Sequence, residues 1–130
     1  MSPKDDHFLS VSSEGVKLWT ITQDTPIALI DLAGESSICA TFDAQGLVFA
    51  IGINSNSVRL YDAKKYATGP FSTFSIDMVS KKQFAHWESM EFSQDGKLIL
   101  ISTRGLYVYI IDAFKGELKC TVRLILRLMI

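Results

Sequence analysis

Apolar residues come in short bursts along this chain, each cut off by a cluster of Ser, Gly, Asn or Asp. No segment shows the recurrence of a capped amphipathic helix, so the pattern predicts an all-β chain. Phe8-Leu-Ser-Val-Ser12 and Val16-Lys-Leu-Trp19 flank Ser13-Glu14-Gly15 and read as a hairpin. Ile27–Ile30 follows as an outer strand, and Ser37–Phe42 opens a new unit as its inner strand. Asp43-Ala-Gln-Gly46 is a turn. Leu47-Val-Phe-Ala-Ile-Gly52 is apolar at nearly every position, as expected of a strand covered on both faces. After Asn54–Ser57 the chain turns into Val58–Tyr61. The same order then returns as Phe71–Phe74, Trp87–Phe92, Ser93–Gly96, Leu98–Ser102 and Leu106–Ile111.

Val16-Lys-Leu-Trp-Thr20, Val58-Arg-Leu-Tyr-Asp62 and Val108-Tyr-Ile-Ile-Asp112 are three copies of one segment. Their anchors Trp19, Tyr61 and Ile111 are spaced about 42 and 50 residues apart, close to the ~40–45 residues of a WD-repeat blade. Phe42-Asp-Ala-Gln-Gly46 and Phe92-Ser-Gln-Asp-Gly96 repeat in step with them, each placing Gly where the backbone must reverse. Closing a propeller takes about four to eight blades. The expectation is therefore a partial WD-repeat β-propeller of about two and a half antiparallel blades. Its units are residues 1–20 (a partial blade lacking its innermost strand), 21–62, 63–112, and 113–130, where an outer strand begins and a divergent apolar tail follows.

Composition narrows the function. With 48% apolar and 21% charged residues the chain is a folded globular type. A net charge of −1 creates no field that would draw it to nucleic acid or an anionic membrane, so sequence-specific nucleic-acid binding is not expected. Cys39 and Cys120 sit in apolar runs without Cys-x-x-Cys or Cys/His spacing, and read as buried reduced thiols in an intracellular compartment. The start, Met1–Asp6, has no secretory leader pattern. In Val122–Ile130 apolar residues alternate with Arg123 and Arg127 opposite, which suits an edge strand and is too short to span a bilayer.

Candidate chemistry is sparse. His7 and His86 lie in no nucleophile elbow or metal-spaced cluster, and no phosphate-cradling Gly-rich loop is present. Asp62 and Asp112 close their strands and read as turn carboxylates that accept local hydrogen bonds. Catalytic, cofactor and metal sites are therefore expected to be absent. Lys64-Lys65 and Lys81-Lys82 read as solvated loop tips. Tyr66, Phe71 and Phe84 are the loop aromatics suited to protein contact, and Arg59, Tyr66 and Phe71 are the contact residues selected, with Phe71 equally readable as core.

Several runs go beyond a generic repeat: Phe42–Ala50, Val58–Asp62, Gly69-Pro-Phe-Ser-Thr-Phe74, Phe92–Thr103 and Ile111-Asp-Ala-Phe-Lys-Gly116. Together they resemble the WD-repeat-containing protein 82 family over about residues 5 to 118. The resemblance implies a non-catalytic nuclear scaffold of COMPASS-type histone methyltransferase complexes. It implies partners in a SET-domain methyltransferase complex that acts on histone H3, tied to transcribing RNA polymerase II, and in phosphatase or transcript-termination assemblies. Thr20 stands where the repeat has Asp, and no Gly-His pair precedes the inner strands, which leaves the side-chain network of a WD blade incomplete.

The pattern leaves the family near Thr121, and the strands that precede Pro3 in the family are missing, so the chain reads as a truncated member. Several hundred Å² of apolar blade face uncovered at each end, at roughly 25 cal/mol per Å², forfeits ~10 kcal/mol. Self-association, or a remnant without independent activity, is the alternative expectation.

Overall fold

The computed structural model describes residues 7–76, 86–105 and 107–123, with side chains described as far as Lys119. The Lys81-Lys82 pair, Phe84, Leu106 and the alternation beyond Arg123 lie outside these residues, as does the side chain of Cys120. Among the described residues eleven strands follow one another: β1 (His7–Ser12), β2 (Gly15–Thr20), β3 (Ala28–Asp31), β4 (Cys39–Phe42), β5 (Val48–Ile53), β6 (Ser57–Asp62), β7 (Ser72–Ser75), β8 (Trp87–Phe92), β9 (Leu98–Thr103), β10 (Tyr107–Asp112) and β11 (Leu118–Arg123). A single 3₁₀ turn, Tyr66–Thr68, lies between β6 and β7.

The strands form three antiparallel meanders: β1-β2-β3, β4-β5-β6-β7 and β8-β9-β10-β11. The innermost strands β4 and β8 lie side by side, and β1 approaches β4, so the sheets stand next to one another as the blades of a partial WD propeller do. The sequence unit 21–62 thus begins with the outer strand of one sheet and ends with the third strand of the next, and 63–112 does the same.

β5 explains its own composition. Ala50 joins a core shared with the third sheet, in which Val58, Leu60, Phe74, Trp87, Met90, Ile99, Ile101, Tyr109 and Ile111 are buried. Phe49, Ile51 and Ile53 face the opposite way, into a core shared with Val16, Leu18 and Leu32 of the first sheet. Successive side chains of a strand point to opposite faces, and here both faces are covered, which removes any polar position from the run. Gly52 continues it because Trp87 and Cys39 lie against it: a Cβ there would come 2.8 Å from Cys39 Sγ and 3.1 Å from Trp87 Cε3. Burial of Cys39 pushes its thiol up to about 11, so it stays protonated and inert.

The repeated anchors are cross-strand partners. Trp19 pairs with Phe8 and stacks on it at 6.0 Å, while its indole N–H donates to Ser10 Oγ. Tyr61 pairs with Phe49 and stacks at 5.1 Å. Ile111 pairs with Ile99, both fully buried. Aromatic and β-branched cross-strand pairs of this kind contribute roughly 0.2–1 kcal/mol each beyond Ala–Ala. The strand-ending carboxylates act as turn acceptors: Asp62 Oδ1 receives the Lys64 amide, and Asp112 Oδ1 receives those of Phe114 and Lys115. Thr20, in the equivalent place of the first sheet, instead hydrogen-bonds Thr22.

Candidate functional site: two equivalent clefts between the sheets

One end of the structure carries the β4–β5 and β8–β9 turns and the β6–β7 and β10–β11 connections. The two inter-sheet clefts that open there are built from equivalent residues. The first, between sheets one and two, is lined by Leu18, Ile27, Phe42, Gly46, Ala63 and Lys64, with His7 and Tyr66, and encloses about 200 Å³. The second, between sheets two and three, has Leu60, Phe71, Phe92, Gly96, Ala113 and Phe114 in those places and encloses about 440 Å³.

Backbone hydrogen bonds establish the equivalence. Ile27 N–H donates to Leu18 O as Phe71 N–H does to Leu60 O, and Ala63 N–H donates to Leu47 O as Ala113 N–H does to Lys97 O. The turns match as well, with Gly46 N–H on Asp43 O and Gly96 N–H on Ser93 O.

The clefts differ in what closes them. In the first, the long connection after Asp62 brings half-buried Tyr66 back against the core formed by Val16, Leu18, Phe42 and Tyr61. Counted from Asp112, the place of Tyr66 is taken by Gly116, and the connection returns directly to β11. Gly116 has φ +72, and a Cβ on it would lie 2.4 Å from Phe74 Cγ, so the backbone itself passes over the Phe74 ring. No side chain at that position enters the second cleft.

The second cleft is apolar below and acidic above. Phe71 is 58% and Phe114 72% exposed. Asp43, Gln45, Gln94 and Asp95 complete the wall, and neither Lys nor Arg is among the described residues that line it. Asp95 Oδ1 accepts Ser93 Oγ–H at 2.6 Å and the Lys97 amide at 3.0 Å, and these bonds hold its carboxyl below the usual carboxylate range. Asp43 Oδ1 accepts the Leu47 and Val48 amides, which fixes the other turn.

At the opposite end a broader depression is lined by Val11, Glu35, Ser37, Trp87, Glu88 and Arg104. Ser37 Oγ and His86 Nδ1 meet there at 3.2 Å in a solvent-exposed hydrogen bond. This pair joins the β3–β4 loop to the start of β8, just beside the buried bond from the Trp87 amide to Ser55 Oγ. It is explained as a stitch between neighbouring sheets. Among the described residues no group of three or more His, Cys, Asp or Glu could hold a metal ion.

Similar sequences occur in a fly and in two yeasts. The chain is 39% identical over 117 residues to WD repeat-containing protein 82 of Drosophila melanogaster, covering 89% of the chain and 35% of that protein. It is 36% identical over 119 residues to COMPASS component SWD2 of Saccharomyces cerevisiae, covering 90% and 35%. It is 32% identical over 119 residues to Set1 complex component swd2 of Schizosaccharomyces pombe, covering 90% and 32%. The chain belongs to the WD-repeat-containing protein 82 family. It spans about a third of the length of these relatives. No protein-family model matches it.

Within this family member the three residues selected from sequence occupy three different environments. Phe71 stands exposed on the wall of the open cleft rather than in the core. Tyr66, expected at an exposed loop tip, is half-buried on the wall of the first cleft. Arg59 is half-buried in mid-strand, pairs with Ile51 and so shares the face turned to the first sheet; it lines neither cleft. Phe114, the most exposed large apolar side chain described, was not singled out from sequence. Its signal was available: Phe114 occupies the place that solvated Lys64 holds in the preceding repeat.

Proposed function

We propose that this chain is a non-catalytic WD-repeat scaffold of a COMPASS/Set1-type histone methyltransferase assembly in the nucleus, where it links the methyltransferase to transcribing RNA polymerase II. The observation that carries this reading is family membership over about nine-tenths of the chain, with relatives that are components of COMPASS and Set1 complexes. The geometry supports a binding role: rigid sheets hold short connections at one end, and an unfilled apolar cleft faces outward among them. Phosphatase or termination factors are further partners on the same reading. The outward faces of the first and third sheets, with Leu29 49% and Leu98 37% exposed, receive neighbouring β-structure in the assembled scaffold.

The test is affinity purification of the tagged chain from nuclear extract, with circular dichroism confirming β-structure in the same preparation. Recovery of a SET-domain methyltransferase with its companion subunits, and of RNA polymerase II, is the expected result. A folded chain that recovers neither overturns the reading. Recovery of the methyltransferase without the polymerase removes the link and leaves the scaffold.

A further inference from the structure

We propose that the open cleft between the second and third sheets binds a partner segment carrying an aromatic side chain beside a lysine or arginine. This deepens the scaffold reading, on which it rests for the existence of a protein partner.

The molecule supplies the template for the occupant. Its first cleft is narrowed by the chain's own Ala63-Lys-Lys-Tyr66: Tyr66 packs against the core and lines the cleft, while Lys64 and Lys65 are exposed. The second cleft has the same floor but presents Gly116 where the tyrosine would come from, and its volume is about 440 rather than 200 Å³. An aromatic ring from outside can take the vacant place. There it would cover Phe92, Phe71 and Phe114, whose exposure is otherwise a cost in water.

The rim decides the charge of the neighbouring residue. Asp95 is exposed and kept ionised by the Ser93 hydroxyl and the Lys97 amide. Asp43 lies across the cleft from it, on the turn of the other sheet. Asp43 and Asp95 line the cleft, Lys97 acting on Asp95 from outside the lining, and the two carboxylates favour a lysine or arginine beside the aromatic, to which the exposed Phe rings offer a second favourable surface. An acidic segment would meet like charge at both turns.

The test uses a fluorescein-labelled peptide with the chain's own sequence Asp62–Gly69, titrated with the purified 130-residue chain and followed by anisotropy. Saturable binding that weakens as salt rises is expected. Phe114→Ala should weaken it about tenfold, the loss of one aromatic hot spot, and Asp95→Lys should weaken it comparably and remove most of the salt dependence. Peptides with Tyr66→Ala or with both lysines changed to Glu should fail to compete. Melting curves confirm that each protein variant is folded.

The absence of saturable binding, equal binding of the glutamate peptide, or binding indifferent to both protein variants would overturn the proposal. The two readings fail separately. If the Phe114→Ala chain still recovers the full set of methyltransferase subunits, the cleft is not the docking site and the scaffold reading stands. If peptide binds as described and no such subunits are recovered, the cleft stands and the assembly is wrong.

Discussion

The two clefts share a floor and a hydrogen-bonding frame and yet differ in outcome. Phe42, at the end of the inner strand β4, is 8% exposed, whereas Phe92 at the same place on β8 is only half-buried. Ile27 is 39% exposed beside the first cleft, and its counterpart Phe71 is 58% exposed beside the second. The strands contribute, since Phe42 packs edge-on against its cross-strand partner Phe49 where Phe92 has Ile99. The connections contribute as well: the longer one folds Tyr66 inward, and the shorter one crosses Phe74 with a glycine that has no side chain to offer. A repeat protein can therefore keep its framework constant and open or close a binding place by changing one loop, which is how rigid β-scaffolds acquire different partners on equivalent surfaces.

The most severe way to break the comparison is to give the short connection a side chain. Gly116→Val places a branched Cβ inside the Phe74 ring at a φ that L-residues avoid, and should cost about 2–4 kcal/mol. Chemical denaturation would show this as a lowered midpoint, and an unchanged midpoint would mean the loop is not pinned on Phe74. Next, Tyr66→Ala should cost about 1–2 kcal/mol, since a half-buried ring loses only part of its burial.

A smaller effect on stability sharpens the contrast. Phe71→Ser and Phe114→Ser should each leave the midpoint within about 0.5 kcal/mol, because exposed side chains contribute little to the fold, while reducing recovery of partners. Smallest is the titration of the turn carboxylates. Asp112 lies below its ordinary value of 3.8, chiefly through the Lys115 and Phe114 amides, and Asp95 is lowered by Ser93 and Lys97. A carboxyl that is more acidic folded than unfolded contributes stability above its unfolded value and loses it as pH falls through the folded one. Asp112→Ala should therefore melt lower than the parent at neutral pH, and the difference should vanish on acidification below the carboxylate range.

Much of this was legible from residues alone. The run Leu47–Gly52 announced a strand covered on both faces, and β5 is sandwiched between two cores. The Val-x-Leu-aromatic segments announced a cross-strand anchor, and Trp19, Tyr61 and Ile111 each meet their partner on the preceding strand. The turn role of Asp62 and Asp112 followed from their position at strand ends. The cleft was only half legible. Phe71 and Tyr66 were both recognisable as loop aromatics, but whether such a ring turns in or out depends on the connection's path across the neighbouring sheet. That is a tertiary property, which no local pattern carries. Arg59 was legible as a strand residue, and strand parity places it with Ile51 on the face turned to the first sheet, away from both clefts. Phe114 becomes legible only when its run is aligned with the previous repeat, where Lys64 holds the same place.

The most direct test puts one photo-crosslinking residue in each cleft. Benzoylphenylalanine replaces Phe71 in one chain and Tyr66 in another, and both are irradiated in nuclear extract after their folding has been checked by circular dichroism. The account predicts crosslinks from position 71 to a subunit of the methyltransferase assembly, and none to such a subunit from position 66. Crosslinks of equal strength from both positions, or from position 66 alone, would contradict it.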